Sequence, residues 1–196
     1  MIDREAIVRA LKGSWRLLLG DERAMGWFDT SIEGFWRSFA AMLLCLPMPL
    51  VELAAQPLLP MAARVGAETF QGPGYWLTGL AAYGLTWIAF PILLALLARP
   101  LGITGVYVPL MVARNWTTLI AAAPSFAFTL LFVVGLIPIG ALGPLNLAAL
   151  GFGLYYAWVA TRIAARTPPG TTSGLVALDF VVSLVVYTAA DRLIGL

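Results

Sequence analysis

Five polar residues stand inside the long apolar runs of this chain, where their side chains could support binding or proton chemistry. Two are carboxylates, Glu52 and Asp179. The others are Arg114, Asn115 and Asn146. Placing a charged side chain at the centre of an apolar membrane helix costs about 2.5–3.5 kcal/mol on insertion scales, so such residues are functional candidates by default. We treat these residues, together with Arg192, as a candidate intramembrane polar site.

Two main interpretations of this site are open. In the first, the charges clamp helices together. Asp179 then pairs with Arg114 or Arg162 near the inner face, and Glu52 pairs with Arg192 near the outer face. In the second, Glu52 or Asp179 is a proton or cation site. A third interpretation is that the charges reach the bilayer surface by snorkelling or local thinning.

The residue types that are missing exclude several kinds of chemistry. The chain has no His and a single Cys. It therefore cannot build a zinc site, a CxxC redox pair, an internal disulfide, a haem ligand or a His-based triad from its own residues. Cys45 lies among leucines and is expected to act as a small apolar side chain. The net charge of +2 gives no indication of nucleic-acid binding. We expect no catalytic residues, no metal and no cofactor.

The composition indicates a membrane protein. The chain is 61% hydrophobic and 11% charged, whereas a soluble domain is usually about 45–50% apolar and about 25% charged. Its apolar runs have the length of about 20 residues that crosses a bilayer. We predict an all-α integral membrane protein, a bundle of five transmembrane helices preceded by an N-terminal amphipathic interfacial helix. Residues 1–28 form the cytoplasmic helix and linker, and residues 29–196 form the transmembrane domain. The predicted spans are 36–56, 75–98, 116–137, 141–161 and 174–194.

Two of these runs contain proline and need comment. Pro47 and Pro49 are expected to kink the first span or break its outer half. The stretch 101–138 is too long for one straight span. Division at Arg114 would leave a first piece of about 14 residues, which is too short to cross. We therefore predict an interfacial or re-entrant segment at 101–113, followed by the third span.

The N-terminal segment 2–19 has helical amphipathic periodicity. Its apolar residues fall on one arc, and its basic residues lie beside that arc. This pattern is typical of a helix that lies in the membrane interface with its cations near anionic headgroups. A helix packed against the protein's own loops is the alternative. The apolar arc consists of Ile7, Val8, Leu11, Trp15, Leu18 and Leu19.

The segment 29–39 is predicted to lead the chain into the membrane. Thr30 and Glu33 have the spacing of a capping box, which predicts a helix that begins near Ser31. Aromatic rings prefer the headgroup level, and an arginine there can reach the phosphates while its stem stays in lipid. The predicted interface anchors are Trp15, Trp27, Trp36 and Arg37.

Basic residues predict the orientation. With five spans and the N-terminus inside, ten of the 12 basic residues lie on the cytoplasmic side, and only Arg64 and Arg192 lie opposite. A six-span arrangement gives eight against four and fits the positive-inside rule less well. The abundance of Arg, Ala, Gly and Leu suggests a bacterial source. We therefore predict a multi-pass protein of the bacterial inner membrane, with a periplasmic C-terminus.

Two short stretches, IEGFWRSF at 32–39 and YVPLMVARNW at 107–116, resemble Yip1-domain membrane proteins, including their uncharacterised bacterial relatives. The likeness covers roughly residues 30–195. Eukaryotic members carry an Asp-Leu-Tyr-Gly-Pro-like motif before the first span, where this chain has DTSIE at 29–33. The resemblance therefore does not imply a trafficking role linked to Rab proteins. It implies membrane organisation or an accessory role and carries over no catalytic residues.

These observations favour a non-enzymatic inner-membrane scaffold or accessory subunit that acts through helix-packing surfaces. The expected partners are the lipid bilayer and either another membrane protein or a second copy of the chain. A small transporter or channel that uses Glu52 and Asp179 is the alternative. An intramembrane enzyme ranks third, because the usual bases and metal ligands are missing.

Overall fold

Five long apolar helices form the body of the protein. The structure is a computed structural model, and it describes residues 4–60, 62–70 and 72–195. The membrane spans are Ile32–Leu58, Pro73–Ala98, Thr104–Val133, Ile139–Ala165 and Pro169–Leu193. No β-strand occurs in the described ranges. The predicted all-α membrane bundle is confirmed, and the observed helices are α1 (Arg4–Leu18), α2 (Ile32–Ser38), α3 (Ala40–Cys45), α4 (Pro47–Ala55), α5 (Ala62–Val65), α6 (Pro73–Ala98), α7 (Tyr107–Val133), α8 (Ile139–Ala165) and α9 (Pro169–Leu193).

The helices α6 to α9 are longer than the hydrocarbon core requires. Their lengths of 25 to 27 residues correspond to roughly 38–40 Å, against a core of about 30 Å. Their outer faces remain apolar and exposed, as at Leu184 and Val185 of α9. Such faces would be costly in water but match lipid.

The first span consists of three short helices, α2, α3 and α4. One break falls at Leu46, directly before Pro47, which occupies the first position of α4 where a missing N–H does no harm. The break expected from Pro47 and Pro49 is therefore present. A second break, at Phe39, was not predicted. There the Ser38 hydroxyl donates to the Phe35 carbonyl (2.7 Å), and the Phe39 N–H turns back to the Trp36 carbonyl (3.3 Å).

The third span begins earlier than predicted. Helix α7 runs without interruption from Tyr107 to Val133, so the prediction of a separate segment at 101–113 is wrong for residues 107–113. Burial explains the difference. Residues 110–113 are at most 3% exposed and lie beneath α1, α2 and α3. Protein, rather than lipid or water, surrounds the first turns of α7, so bilayer thickness does not limit its length.

Helix α1 packs against the bundle through a face of mostly small residues. Ala10, Gly13, Ser14 and Leu17 are buried, and the Tyr156 hydroxyl of α8 donates to the Ser14 carbonyl (2.5 Å). A β-carbon added to Gly13 would lie 2.9 Å from the side chain of Trp27. The close fit therefore depends on the small residue at this position. On this face α1 packs against the protein itself, which was the alternative to a helix lying in the membrane interface.

The predicted apolar arc of α1 divides between protein and surroundings. Ile7 and Leu18 pack on the core. In contrast, Val8, Trp15 and Leu19 are 43%, 56% and 69% exposed. An apolar strip of α1 is thus left uncovered by the protein, as an interfacial helix requires.

The start of α2 agrees with the prediction, but a different side chain caps it. Ser31 is the N-cap, and its hydroxyl accepts the Gly34 N–H (3.0 Å). Asp29 in turn accepts the N–H and the hydroxyl of Ser31 (3.1 and 2.6 Å). Thr30 does not cap the helix, and Glu33 pairs with Arg37 one turn later instead of closing a capping box.

Candidate functional site: a polar cavity between the spans

A cavity of about 420 Å³ lies between α4, α6, α7, α8 and α9. Four of the residues predicted from the sequence line it, namely Glu52, Arg114, Asn146 and Asp179. They are far apart in sequence and come from four different helices. The fold therefore collects most of the candidate polar site around one space inside the membrane-spanning bundle.

Helix periodicity directs two polar stripes into this cavity. On α7 the stripe consists of Arg114, Thr118 and Ser125, at intervals of four and seven residues. Residues at these intervals lie on one face of a helix. Only Arg114 of this stripe was predicted from the sequence, although hydroxyl residues at helical spacing from it indicate the other two.

The corresponding stripe on α9 consists of Asp179, Ser183 and Tyr187, each four residues from the next. The two hydroxyl residues were missed because Ser and Tyr are common in membrane helices and carry no signal alone. Thr86 of α6 also lines the cavity and was missed for the same reason.

Of the two partners that the sequence left open for Asp179, Arg114 and Arg162, the structure pairs it with Arg114. The guanidinium donates twice to the carboxylate, with Nε to Oδ2 at 2.8 Å and Nη2 to Oδ1 at 2.7 Å. This two-pronged geometry is among the strongest available to a carboxylate. The side chains are only 17% and 26% exposed, and the guanidinium also lies 5.0 Å from the centre of the Phe90 ring. The pair joins α7 to α9 and leaves no net charge.

A neutral polar contact lies further along the same cavity. The Ser125 hydroxyl donates to Oδ1 of Asn146 (3.0 Å), which links α7 to α8. Ser125 is 11 residues beyond Arg114, or roughly 16 Å along the helix axis. The cavity thus extends along the bundle between a charged pair and an amide–hydroxyl pair.

Glu52 lines the cavity without the expected partner. No ion pair joins Glu52 to Arg192, and in the described part of the chain no hydrogen bond reaches the Glu52 carboxylate. The neighbouring Leu53 carbonyl accepts from the Tyr75 hydroxyl (2.8 Å), near the start of α6. This contact places Glu52 toward the end of the bundle predicted to be outer. Arg192 is exposed and does not line the cavity.

Asn115 has a structural position instead. Its side chain is fully buried, and its Nδ2 donates to the Ser38 hydroxyl (2.8 Å). The contact ties α7 to the break after α2. Asn115 points away from the cavity stripe of α7, because consecutive helix residues are about 100° apart.

The predicted interface anchors form a separate surface at the N-terminal end. Trp15 and Trp36 are 56% and 68% exposed. Trp27 lies under the Arg16 guanidinium, 4.9 Å from the ring centre, and Arg37 pairs with Glu33. Exposed rings beside arginines are typical of the headgroup region.

The described residues contain no group of three or more His, Cys, Asp or Glu side chains that could hold a metal ion. The cavity itself offers one unpaired carboxylate, a neutralised ion pair, hydroxyls and an amide. These groups can orient a ligand through charge and hydrogen bonds. They do not form a nucleophile–base pair at bonding distance.

Comparisons with protein-family models, with curated proteins and with solved structures found no match to this chain.

Proposed function

We propose that this protein is a non-enzymatic, multi-pass protein of the bacterial inner membrane that binds a small solute between its spans, as a small transporter or channel does. The main support for this proposal is that the polar cavity brings together four residues from four helices, namely Glu52, Asp179, Arg114 and Asn146. Polar side chains inside membrane bundles usually line substrate or ion pathways or pair with one another. Here Arg114 pairs with Asp179 and Ser125 pairs with Asn146, and all four side chains line the same space as the unpaired Glu52.

The shape of the cavity supports the same proposal. A volume of about 420 Å³ lies within the range of about 300–1,000 Å³ that is typical of small-molecule sites. Its wall is mostly apolar with a few polar groups, which is also typical of such sites. Clamping of helices alone needs no space of this size.

The distribution of basic residues supports the predicted orientation. The helix ends near α1, Arg99 and Arg166 carry most of the basic residues, and those near Arg64 and Arg192 carry few. An odd number of spans puts the two ends of the described chain on opposite sides. We propose a cytoplasmic N-terminus and a periplasmic C-terminus, which cysteine accessibility at introduced surface sites would test.

A bulky substitution in the cavity tests the proposed binding. Ser183 lines the cavity, whereas the next residue, Leu184, is 54% exposed on the outer face of α9. The purified protein is screened for thermal stabilisation by a library of small cations, anions and zwitterions. We expect at least one class to stabilise the wild type and the Leu184→Phe control, and not Ser183→Phe. Stabilisation of the wild type by no class, or equal stabilisation of both variants, would contradict the proposal.

The scaffold or accessory role expected from the Yip1-like resemblance is the second candidate. The exposed strip of α1 supports it, because Val8, Trp15 and Leu19 lie outside the bundle and are free for a membrane or a partner. Affinity purification from native membranes tests this role. One co-purifying protein at fixed stoichiometry, lost on Trp15→Ser and kept on Leu184→Ser, would favour the accessory role over transport.

A further inference from the structure

The charged groups of the cavity do not balance. The ionised side chains that line it are Glu52, Arg114 and Asp179. Arg114 and Asp179 neutralise each other through two hydrogen bonds. Glu52 has no cationic partner within the described residues, so the ionised cavity carries one net negative charge.

Glu52 is exposed rather than enclosed by the bundle, but it lies within a membrane span, where an isolated carboxylate is unfavourable. It is stabilised when it binds a proton or faces a cation. The described residues place no cation against the Glu52 carboxylate. A cationic ligand would supply the missing charge, whereas an anionic ligand would meet repulsion from Glu52.

The rest of the lining favours an organic cation over a divalent metal ion. The described residues hold no cluster of three acidic, Cys or His ligands. Aromatic rings line the cavity instead, from Tyr83 and Trp87 of α6 and from Phe180 and Tyr187 of α9. Aromatic faces attract ammonium groups, with Trp the best of them, and such rings recognise quaternary ammonium ligands. Trp87 is only 3% exposed, whereas Phe180 and Tyr187 are 38% and 40% exposed and have accessible ring surface.

We propose that the cavity binds a monovalent organic cation, whose quaternary or protonated amine lies between Glu52 and the aromatic rings and whose apolar body contacts the rest of the mostly apolar lining. This inference rests on the proposed function and names the ligand class for the same cavity. The neutral pair Arg114–Asp179 and the Ser125–Asn146 contact line the space without adding net charge. Charge selectivity therefore depends on the single carboxylate.

A matched pair of probes tests the charge preference. The full chain, purified in maltoside detergent, is titrated with benzyltrimethylammonium or with benzenesulfonate, which share an aromatic ring and differ in charge. We expect saturable thermal stabilisation by the cation and none by the anion. Glu52→Gln is expected to weaken cation binding at least tenfold. The control Glu68→Gln removes an exposed carboxylate outside the cavity and is expected to bind as the wild type does.

A measurement that keeps Glu52 covers the case in which Glu52→Gln does not fold. Cys45 is only 2% exposed and cannot report on access to the cavity, so Ser183→Cys in a Cys45→Ala chain places one thiol on the cavity wall for methyl methanethiosulfonate to modify. Saturating benzyltrimethylammonium is expected to slow this modification at least fivefold. An unchanged rate despite thermal stabilisation would place the cation elsewhere and overturn the inference.

Different results contradict the cation inference alone and the proposed function as a whole. If benzenesulfonate or a zwitterion stabilises the protein and protects the thiol at position 183 while the cation does neither, the cavity binds solutes of another class. The proposed function then stands and the cation inference falls. If no class of solute stabilises the protein or protects this thiol, both fall.

Discussion

Removal of one partner from the Arg114–Asp179 pair is expected to destabilise the bundle strongly. The pair makes two hydrogen bonds of 2.7 and 2.8 Å and is largely shielded, with side chains 17% and 26% exposed. Breaking a buried pair by removing one partner costs about 3–5 kcal/mol, because the remaining charge is left uncompensated. Because the two side chains are partly exposed, we expect a value at the lower end of this range. Asp179→Leu and Arg114→Met should each lower the free energy of unfolding by about 3 kcal/mol.

The double variant distinguishes coupling from two independent losses. Replacing both charges with apolar residues leaves no buried charge and is often close to neutral. Independent effects would sum to about 6 kcal/mol, whereas coupled effects should leave the double variant with a cost below about 3 kcal/mol. Arg114→Met also loses the contact with the Phe90 ring at 5.0 Å, which adds about 0.5–2 kcal/mol to that variant.

Thermal unfolding of the purified variants in detergent measures these differences. At about 2–4 °C per kcal/mol for a chain of this size, each single variant should lower Tm by roughly 6–12 °C. The matched control is Arg99→Gln, which removes an exposed arginine at the end of α6. It should shift Tm by less than about 2 °C, since exposed charges contribute about 0–1 kcal/mol.

Two results would refute this reasoning. Losses that add fully in the double variant would show that the two charges do not depend on each other. Single variants no worse than Arg99→Gln would show that the pair behaves like a surface ion pair, screened by water in the cavity. The second result would also indicate that the cavity is hydrated as far as this pair.

Three further predictions concern the contacts that position the spans. Gly34→Ala should destabilise the protein by more than about 3 kcal/mol, because the added β-carbon would lie 2.0 Å from the Asp29 carbonyl oxygen, whereas Gly26→Ala meets nothing within 4 Å and should be close to neutral in thermal unfolding. Asp29→Ala should cost about 1 kcal/mol at pH 7, because the carboxylate accepts two hydrogen bonds from Ser31. These bonds hold the pKa of Asp29 below its ordinary value of 3.8, so the stabilisation is complete above about pH 4 and is lost as the pH falls through the lowered pKa. The Tm difference between wild type and Asp29→Ala should therefore shrink at pH 3, and a constant difference would contradict this cause. Tyr156→Phe removes the hydroxyl that holds α8 to α1 and should expose α1 to proteolysis while the five spans stay folded; unchanged cleavage would show that apolar packing alone holds α1.

Local signals in the sequence predicted well those features that depend on neighbouring residues. The break before Pro47 follows from a missing N–H, and the start of α2 follows from a cluster of capping residues. The capping residue itself was misassigned. Thr30 and Ser31 have similar side chains, and only the backbone path around Asp29 decides which hydroxyl faces the free N–H.

Contacts between distant segments were predicted less evenly. Opposite charges at similar membrane depth suggested that Asp179 pairs with Arg114 or Arg162, and the structure contains the pair with Arg114. The same argument suggested Glu52 with Arg192, and the structure does not contain that pair. Depth is a one-dimensional coordinate, whereas pairing also requires that two helices turn the right faces toward each other.

The sequence by itself determined the class of this protein and its division into five spans, because hydrocarbon selects for long uncharged runs regardless of how they pack. Only the tertiary structure decided that α7 begins at Tyr107, since α1, α2 and α3 bury turns that bilayer thickness would have excluded. It also decided that Glu52, Asn146 and the Arg114–Asp179 pair share one cavity. Helix rotation and packing set which faces meet, and these depend on the fit of side chains from several helices at once.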